Sequence, residues 1–516
     1  MKRSSLSQFA IFGVLIAAYI AIRFWHLTDS CLWFDEVFSV HAAEHSWSEL
    51  WNFVELDLVH PPLFYVLLKM WIGAGGESIF WLRSFTVLFS VVSIFPLLAF
   101  QRELKLNIST QAISLFFLTV NGSLLKYSQE VRMYSLMMCL ALFSMWLFSR
   151  YFIKGKSLVP LIVVNVLLVY SHYFGWCVVT TEIAAILMFQ RIKWRPILIM
   201  FGITLLGFVP WIVAVFRASQ MSEGLSQNIG WTARPGIGDI VRFKLSLIEP
   251  FYYPATTIDS YSIYRVTIPL LLIAAATLVV YFSNWNIRSD DDKRATYLLA
   301  VFAGLPVIAA FVASWLLPQS IWGTRHLIFV FAPVSILIAV AITSLSSIKV
   351  KAALLTLVLL FFGYAFVIFA TQEKTLYVWC AWGKLTNENV RGTANTGQKQ
   401  RIYVFENLVA YHLWYDFRRT ENVEVSVIRG IDGLIEDPGY FMPRGFDAIK
   451  TVNINSVTDS QFWIAFREPN RPDLDDGRFH EPVVTLQNKG YVPKESHSIV
   501  VGTEVAYLIL MTKGQP

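Results

Sequence analysis

Carboxylates, imidazoles and guanidinium groups recur in this chain beside long apolar stretches, and their spacing is the first clue to its chemistry. Leu32 to Phe38 reads LWFDEVF, which sets Asp35 and Glu36 among Trp33, Phe34 and Phe38. Aromatic residues of this kind favour the rim of a bilayer, an uncommon depth for two acids. Adjacent residues on a helix diverge by about 100°, so one carboxylate can face a cavity while the other turns to a neighbouring helix or a metal ion. Further on, Asp57 precedes His60-Pro61-Pro62. The prolines fix the backbone and keep their predecessors out of helical geometry. His60 is therefore held at the mouth of the next helix, where an imidazole can hydrogen-bond phosphate, complete a metal site or simply start the helix. In SQEVRMYSL, Glu130, Arg132 and Tyr134 alternate, so a carboxylate, a guanidinium and a phenol share one neighbourhood whether the backbone is extended or tightly turned. The planar fork of Arg132 suits phosphate and stays charged; an arginine at this depth can also snorkel to the headgroups. Ser171-His172-Tyr173 adds hydroxyls and an imidazole, and Trp322-Gly323-Thr324-Arg325-His326 adds a second guanidinium. Arginines converging from distant loops would suit a phosphate or diphosphate substrate, with Arg83 as a third such group. Glu182 lies within an apolar segment, where an unpaired carboxylate is costly, so a partner or a water-facing position is expected.

The elements that must position these groups are membrane helices. Of the 516 residues, 55% are hydrophobic and 15% aromatic, far from the usual soluble range. Eleven candidate spans centre on about residues 8–25, 79–99, 111–128, 134–151, 157–172, 174–190, 196–216, 264–283, 296–316, 326–345 and 351–370, each near the roughly 20 residues a crossing requires. The apolar stretch from Pro61 to Gly73 is too short and reads as an interfacial helix. Short loops carrying Arg102 and Lys105, then Arg150, Lys154 and Lys156, then Arg191, Lys193 and Arg195, then Arg288, Lys293 and Arg294, then Lys349 and Lys351 alternate with these spans. By the positive-inside rule they lie inside with Lys2 and Arg3. All the polar motifs above, and all nine histidines, then emerge on the outer face, which points to one external cavity at membrane level.

Beyond about Thr371 the character changes. RIYVFE, VEVSVI, QFWIAF and EVAYLILM have strand composition, Asn407 to Phe417 suits a helix, and RGTANTGQ, EDPGYFMPRG and EPNRPDLDDGR are turn-rich. The expected fold class is mostly α, a polytopic helical bundle over residues 1–370 with a first outer loop at 26–78, followed by a small α/β domain over 371–516 outside the membrane. The net charge of +6 is spread over short loops, which argues against a nucleic-acid partner. Cys31, Cys139, Cys177 and Cys380 show neither metal-ligand spacing nor a disulfide framework, although Cys31 and Cys380 fall on the same expected side. The N-terminus lacks a small-residue cleavage site and reads as an uncleaved first helix. No internal repeat is visible, which disfavours an inverted-repeat transporter.

Taken in order, DE in the first outer loop, HPPLFYVLL, an arginine opening the second span, SQEVRMYSL, SHYFG and TRHLIFVFAP resemble the GT-C superfamily of polytopic glycosyltransferases. The branch is the one related to protein O-mannosyltransferases and to the aminoarabinose transferases that modify lipid A. The resemblance covers roughly residues 9–345, and the C-terminal domain looks like the extracytoplasmic domain of bacterial members. It implies a multi-pass bacterial inner-membrane enzyme, N-terminus inside and C-terminal domain outside, that transfers a hexosyl or pentosyl group from a polyprenyl-phosphate donor to a glycan, lipid or protein acceptor. By that likeness Asp35, with Glu36 beside it, is the catalytic carboxylate and deprotonates the acceptor hydroxyl during an inverting displacement. Arg132, Arg325, Arg83 and His60 bind the donor phosphate, and Glu130, Tyr134, His172, Tyr173 and His326 line the substrate pocket. The family often uses a divalent metal, for which Glu36, Asp57 and His60 are the candidate ligands; no organic cofactor is implied. Three features depart from the pattern. His60 stands where aminoarabinose transferases carry a lysine, HPPLFY replaces the mannosyltransferases' HPPLGK, and His326 replaces the usual tyrosine after the last arginine. A transporter or flippase of a phosphate-bearing lipid-linked glycan is the alternative, and a non-catalytic polysaccharide-assembly subunit a third reading.

Overall fold

A computed structural model of the chain describes residues 2–189, 194–220, 232–251, 260–371, 378–391, 399–430, 442–470 and 481–514. It divides into two compact units. One comprises Met1–Leu27 and Ala42–Gln372, the other Thr28–His41 and Glu373–Pro516. The second thus joins a short N-terminal segment to the C-terminal residues across the whole intervening chain.

The first unit is helical. Among the described residues seven of its helices, Ile79–Glu103, Tyr134–Lys154, Trp194–Gln220, Tyr264–Ser283, Asp290–Leu316, Thr324–Thr343 and Ile348–Thr371, are long and apolar enough to cross a membrane. The other four expected spans fall on shorter apolar helices, Ala10–Phe24, Ile108–Val120, Val159–Ser171 and Gly175–Phe189. The third expected span, 111–128, is interrupted because Asn121 leaves helical geometry. Its side-chain oxygen accepts from the Leu124 amide at 3.0 Å and so starts a separate helix, Gly122–Ser128. Such a cap satisfies an amide that the previous helix would otherwise have bonded. The Pro61 to Gly73 stretch forms the helix Leu63–Gly75, with Pro62 at its N-cap. Two basic residues of one expected inner loop, Arg191 and Lys193, lie outside the described residues.

Glu182 has the partners its position demands. Ser144 donates to one carboxylate oxygen, and Asn165 donates to the other at 2.7 Å. All three side chains are buried, and they stitch together the helices Tyr134–Lys154, Val159–Ser171 and Gly175–Phe189. In an apolar surround each bond removes an otherwise unsatisfied polar group.

The second unit contains a six-stranded sheet in the order β3-β2-β1-β4-β6-β5. Its strands are β1 Gln400–Val404, β2 Val423–Arg429, β3 Lys450–Asn453, β4 Gln461–Pro469, β5 Tyr491–Val501 and β6 Glu504–Lys513. β1 to β4 run parallel, and β6 pairs antiparallel with both β4 and β5. The helix after β1 spans Asn407–Phe417 as its sequence predicts. The four anticipated strands are β1, β2, β4 and β6, whose inward residues Tyr403, Ile428, Phe462, Ile464, Phe466, Ile509 and Met511 share one apolar core. β3 and β5 had no such signal, since β3 has four residues and most of β5 is exposed. Most of each turn-rich piece expected between the strands lies outside the described residues.

Candidate functional site

In the first unit, three imidazoles and two guanidinium groups meet at helix ends. His60 arrives on a bend. The helix Trp47–Asp57 stops where Leu58 adopts the left-handed conformation (φ 62°), a costly one outside glycine, and the two prolines then send the chain into Leu63–Gly75. The Leu58 carbonyl accepts from the Tyr173 hydroxyl at 3.3 Å, and that hydroxyl accepts from Trp211 Nε1 at 3.0 Å. His60 is buried, and its Nδ1 lies 3.8 Å from an Asp57 carboxylate oxygen. Nη2 of Arg132 is 3.5 Å from both of its ring nitrogens, so neither is the preferred partner. Burial first, and then the positive charges of Arg132 and Arg325 and the neighbouring imidazoles, hold His60 well below the usual imidazole range. It is a neutral ring at physiological pH.

Arg132 itself sits in a tight turn. Its amide donates to the Glu130 carbonyl at 2.7 Å between the helices Gly122–Ser128 and Tyr134–Lys154. Of the two backbone forms the sequence allowed, the turn is the one found. Glu130 lies 3.9 Å from Lys126 Nζ, and the Arg325 guanidinium stands 5.9 Å from the Tyr134 ring.

His172 follows the helix Val159–Ser171 and is packed between His60, at 5.4 Å between ring centroids, and His326, at 5.1 Å. Its Nδ1 accepts the backbone N–H of Phe174 at 3.1 Å. That bond fixes the tautomer and places the proton on Nε2. Nε2 is buried with no hydrogen-bond partner among the described residues. A desolvated N–H donor left unmade costs about 1–3 kcal/mol, so a ligand acceptor delivered here recovers it. His326 is packed against Gly323, where an added Cβ would come within 2.7 Å of its Nδ1. A side chain at position 323 would therefore displace the His326 ring.

His60, His172, Tyr173 and His326 also line a cavity of about 600 Å³ whose remaining walls are largely apolar, among them Phe174, Phe208, Trp211, Ile212, Val215 and Trp322. The combination suits a ligand with an acidic head and an apolar body. Arg83 is engaged on a backbone carbonyl, that of Leu27, at 2.8 Å.

The acidic pair belongs to the second unit, in the first turn of the helix Phe34–Glu44. The two carboxylates diverge as adjacent helical residues must. Glu36 is fully buried, and its carboxylate accepts the Trp33 amide at 3.0 Å as a cap of its own helix. Asp35 is half-buried, and its carbonyl accepts from Ser39 Oγ at 2.9 Å. Of the candidate metal ligands, Asp57 and His60 lie in one unit and Glu36 in the other. Among the described residues no three His, Cys, Asp or Glu side chains gather as a metal site.

Sequence reasoning missed two features. Cys31 and Cys380 form a disulfide across 349 residues, for which proximity in space is the only signal. The Phe174 amide, which selects the His172 tautomer, is backbone and carries no side-chain signature.

No family model matches the chain, and no curated protein matches it in sequence. Solved structures do. ArnT from Cupriavidus metallidurans bound to undecaprenyl phosphate superposes with a TM-score of 0.55 at 11% identity over 96% of this chain and 97% of that one. The same protein in its apo state gives 0.55 at 11% identity, over 97% and 98%. The Archaeoglobus fulgidus oligosaccharyltransferase with Zn and sulfate aligns more loosely, with a TM-score of 0.48 at 11% identity over 78% and 61%. At such identities the likeness is one of fold alone, a polytopic helical bundle with a small C-terminal sheet domain, as the sequence led us to expect.

Proposed function

We propose that this protein transfers a sugar from a polyprenyl-phosphate carrier to an acceptor hydroxyl. The observation that carries the reading is the His172 Nε2–H, buried and without a hydrogen-bond partner among the described residues, beside Arg132 and Arg325 at an apolar cavity. A lipid phosphate supplies what such a place lacks: acceptor oxygens, negative charge and an apolar chain. The fold neighbour whose structure holds undecaprenyl phosphate supports the choice of carrier.

In the reaction, the acceptor oxygen attacks the anomeric carbon and the bond from that carbon to the phosphate oxygen breaks. Its electron pair leaves with the polyprenyl phosphate, and configuration inverts. Asp35 takes the acceptor proton as general base. Arg132 and Arg325 bind the leaving phosphate, whose charge grows in the transition state. The neutral imidazoles of His60 and His172 contribute hydrogen bonds rather than charge. Arg83 holds its place through Leu27, and Glu130, Tyr134, Tyr173 and His326 shape the pocket. Disulfides persist in oxidising compartments, so Cys31–Cys380 supports an extracytoplasmic location for the acidic segment on a bacterial inner membrane.

The test uses the full-length protein in lipid nanodiscs with a panel of undecaprenyl-phosphoryl hexoses and pentoses, following release of undecaprenyl phosphate. Release from one donor, lost in Asp35→Asn with membrane insertion intact, is the expected result and also names the sugar class. Normal release by Asp35→Asn would remove it from the mechanism. Movement of intact donor across the bilayer without cleavage would identify a flippase instead.

A further inference from the structure

The sheet of the second unit has a feature that such sheets usually offer to a ligand. β1 lies between β2 and β4, both parallel to it, so the chain leaves β1 in one direction and later returns on its other side. In doubly wound sheets the crevice at the carboxyl ends of two such strands is the common binding position. Here Glu406 lies just beyond β1 and Arg467 near the end of β4, and they close the crevice with a forked ion pair. Nε donates to both Glu406 oxygens at 3.1 and 3.0 Å, and Nη2 donates to one of them at 2.9 Å. The Arg467 guanidinium stands 5.2 Å from the Trp379 ring, and Trp379 stacks on His412 at 5.3 Å.

The chain's own acidic segment packs on His412 and its helix neighbour Tyr411. The Phe34 ring is 5.5 Å from Tyr411 and 6.4 Å from His412. Cys31, three residues before Phe34, is bonded to Cys380, next to Trp379. At the far end of the same helix, His41 Nδ1 is 2.8 Å from the Tyr411 hydroxyl, and its ring packs on Trp414 and Phe446 at 4.7 and 5.3 Å. The segment carrying Asp35 is therefore pinned at both ends, covalently before the acid and by a buried hydrogen bond after it.

We propose that the C-terminal domain is the positioning device of the acidic helix. Cys31, Cys380, His41 and Tyr411 act as positioning residues that hold Asp35 for turnover, and the crevice that a related sheet would give to a ligand is given to this segment. The inference rests on the general-base role of Asp35. An acid held by two anchors keeps one orientation, whereas a free eleven-residue helix does not, and a misplacement of about 1 Å can cost on the order of a hundredfold in rate.

The experiment takes the full-length protein in nanodiscs and measures release of undecaprenyl phosphate from the donor found above. Hydrogen exchange of amides 33–40 is the second readout. The double variant Cys31→Ser/Cys380→Ser, and separately Tyr411→Phe and His41→Ala, each lower kcat about ten- to a hundredfold with donor KM unchanged. Each also speeds exchange at 33–40 while the amides of β1, β4 and β6 stay protected. His41→Asn, which keeps an amide near the Nδ1 position, recovers most of the rate. A reductant reproduces the double-serine effect in the parent and adds nothing to the double variant. Parental kcat in all the variants, or exchange that rises across the whole sheet, would overturn the inference by showing an idle or a merely structural role. If Asp35→Asn turns over normally, the base assignment fails first, and the exchange pattern still reports whether the segment is anchored.

Discussion

The two groups of candidate site residues solve opposite electrostatic problems. In the helical unit, positive guanidinium groups are crowded with imidazoles under burial, and the imidazoles respond by staying neutral: His60 is held well below the usual range. In the C-terminal unit a buried carboxylate, Glu36, caps the amide of Trp33, while its neighbour Asp35 keeps partial access to solvent. One region crowds guanidinium donors with neutral imidazoles at an apolar cavity; the other fixes an acid by backbone and covalent constraints. The contrast teaches that charge at a site and rigidity at a site can be supplied by separate parts of a chain.

The largest expected effect separates the two members of the acidic pair. Asp35→Asn should reduce turnover by about a hundred- to ten-thousandfold, as loss of a general base does. Glu36→Gln should act mainly through helix capping, destabilising by about 1 kcal/mol, measured by denaturation alongside turnover. An equal loss of kcat in both variants would break the distinction.

Next comes the cation cluster. Arg132→Ala should weaken undecaprenyl phosphate binding by about ten- to a hundredfold, from loss of a charge-assisted bond of roughly 1.5–3 kcal/mol, and leave undecaprenol binding unchanged. His172→Phe should weaken it by about tenfold, and because the ring donates while neutral, that contribution should stay level between pH 6 and 8. A contribution that rises as pH falls through 6.5 would show imidazolium instead.

The smallest effect concerns acid stability of the C-terminal unit. Burial lowers His412 to about 4, against opposing pulls from the Leu408 and Leu32 carbonyls and the Glu36 charge. The folded state therefore resists a proton that the unfolded chain accepts near 6.5. Stability is complete above about 6.5 and declines as pH falls toward 4, by at most about 3 kcal/mol at roughly 1.4 kcal/mol per pKa unit. His412→Gln should flatten that decline in denaturant unfolding of the full chain, followed by exchange at β4 and β6. An unaltered pH profile would place the acid sensitivity elsewhere.

Sequence alone determined the apolar helices, the four core strands and the identity of the polar motifs, because hydrophobic periodicity and Pro-Pro or Gly breaks are local properties. It also named every side chain of the imidazole and arginine cluster, since His60, Arg132, His172, Arg325 and His326 stand at helix ends that hydropathy marks. Only the tertiary structure decided which tautomer His172 carries, because that depends on the Phe174 amide, and that Cys31 reaches Cys380 across 349 residues. It alone assigned the acidic segment to the C-terminal unit. These are long-range or backbone-mediated facts, and a contact between residues far apart in the chain leaves no trace in the composition or spacing of either.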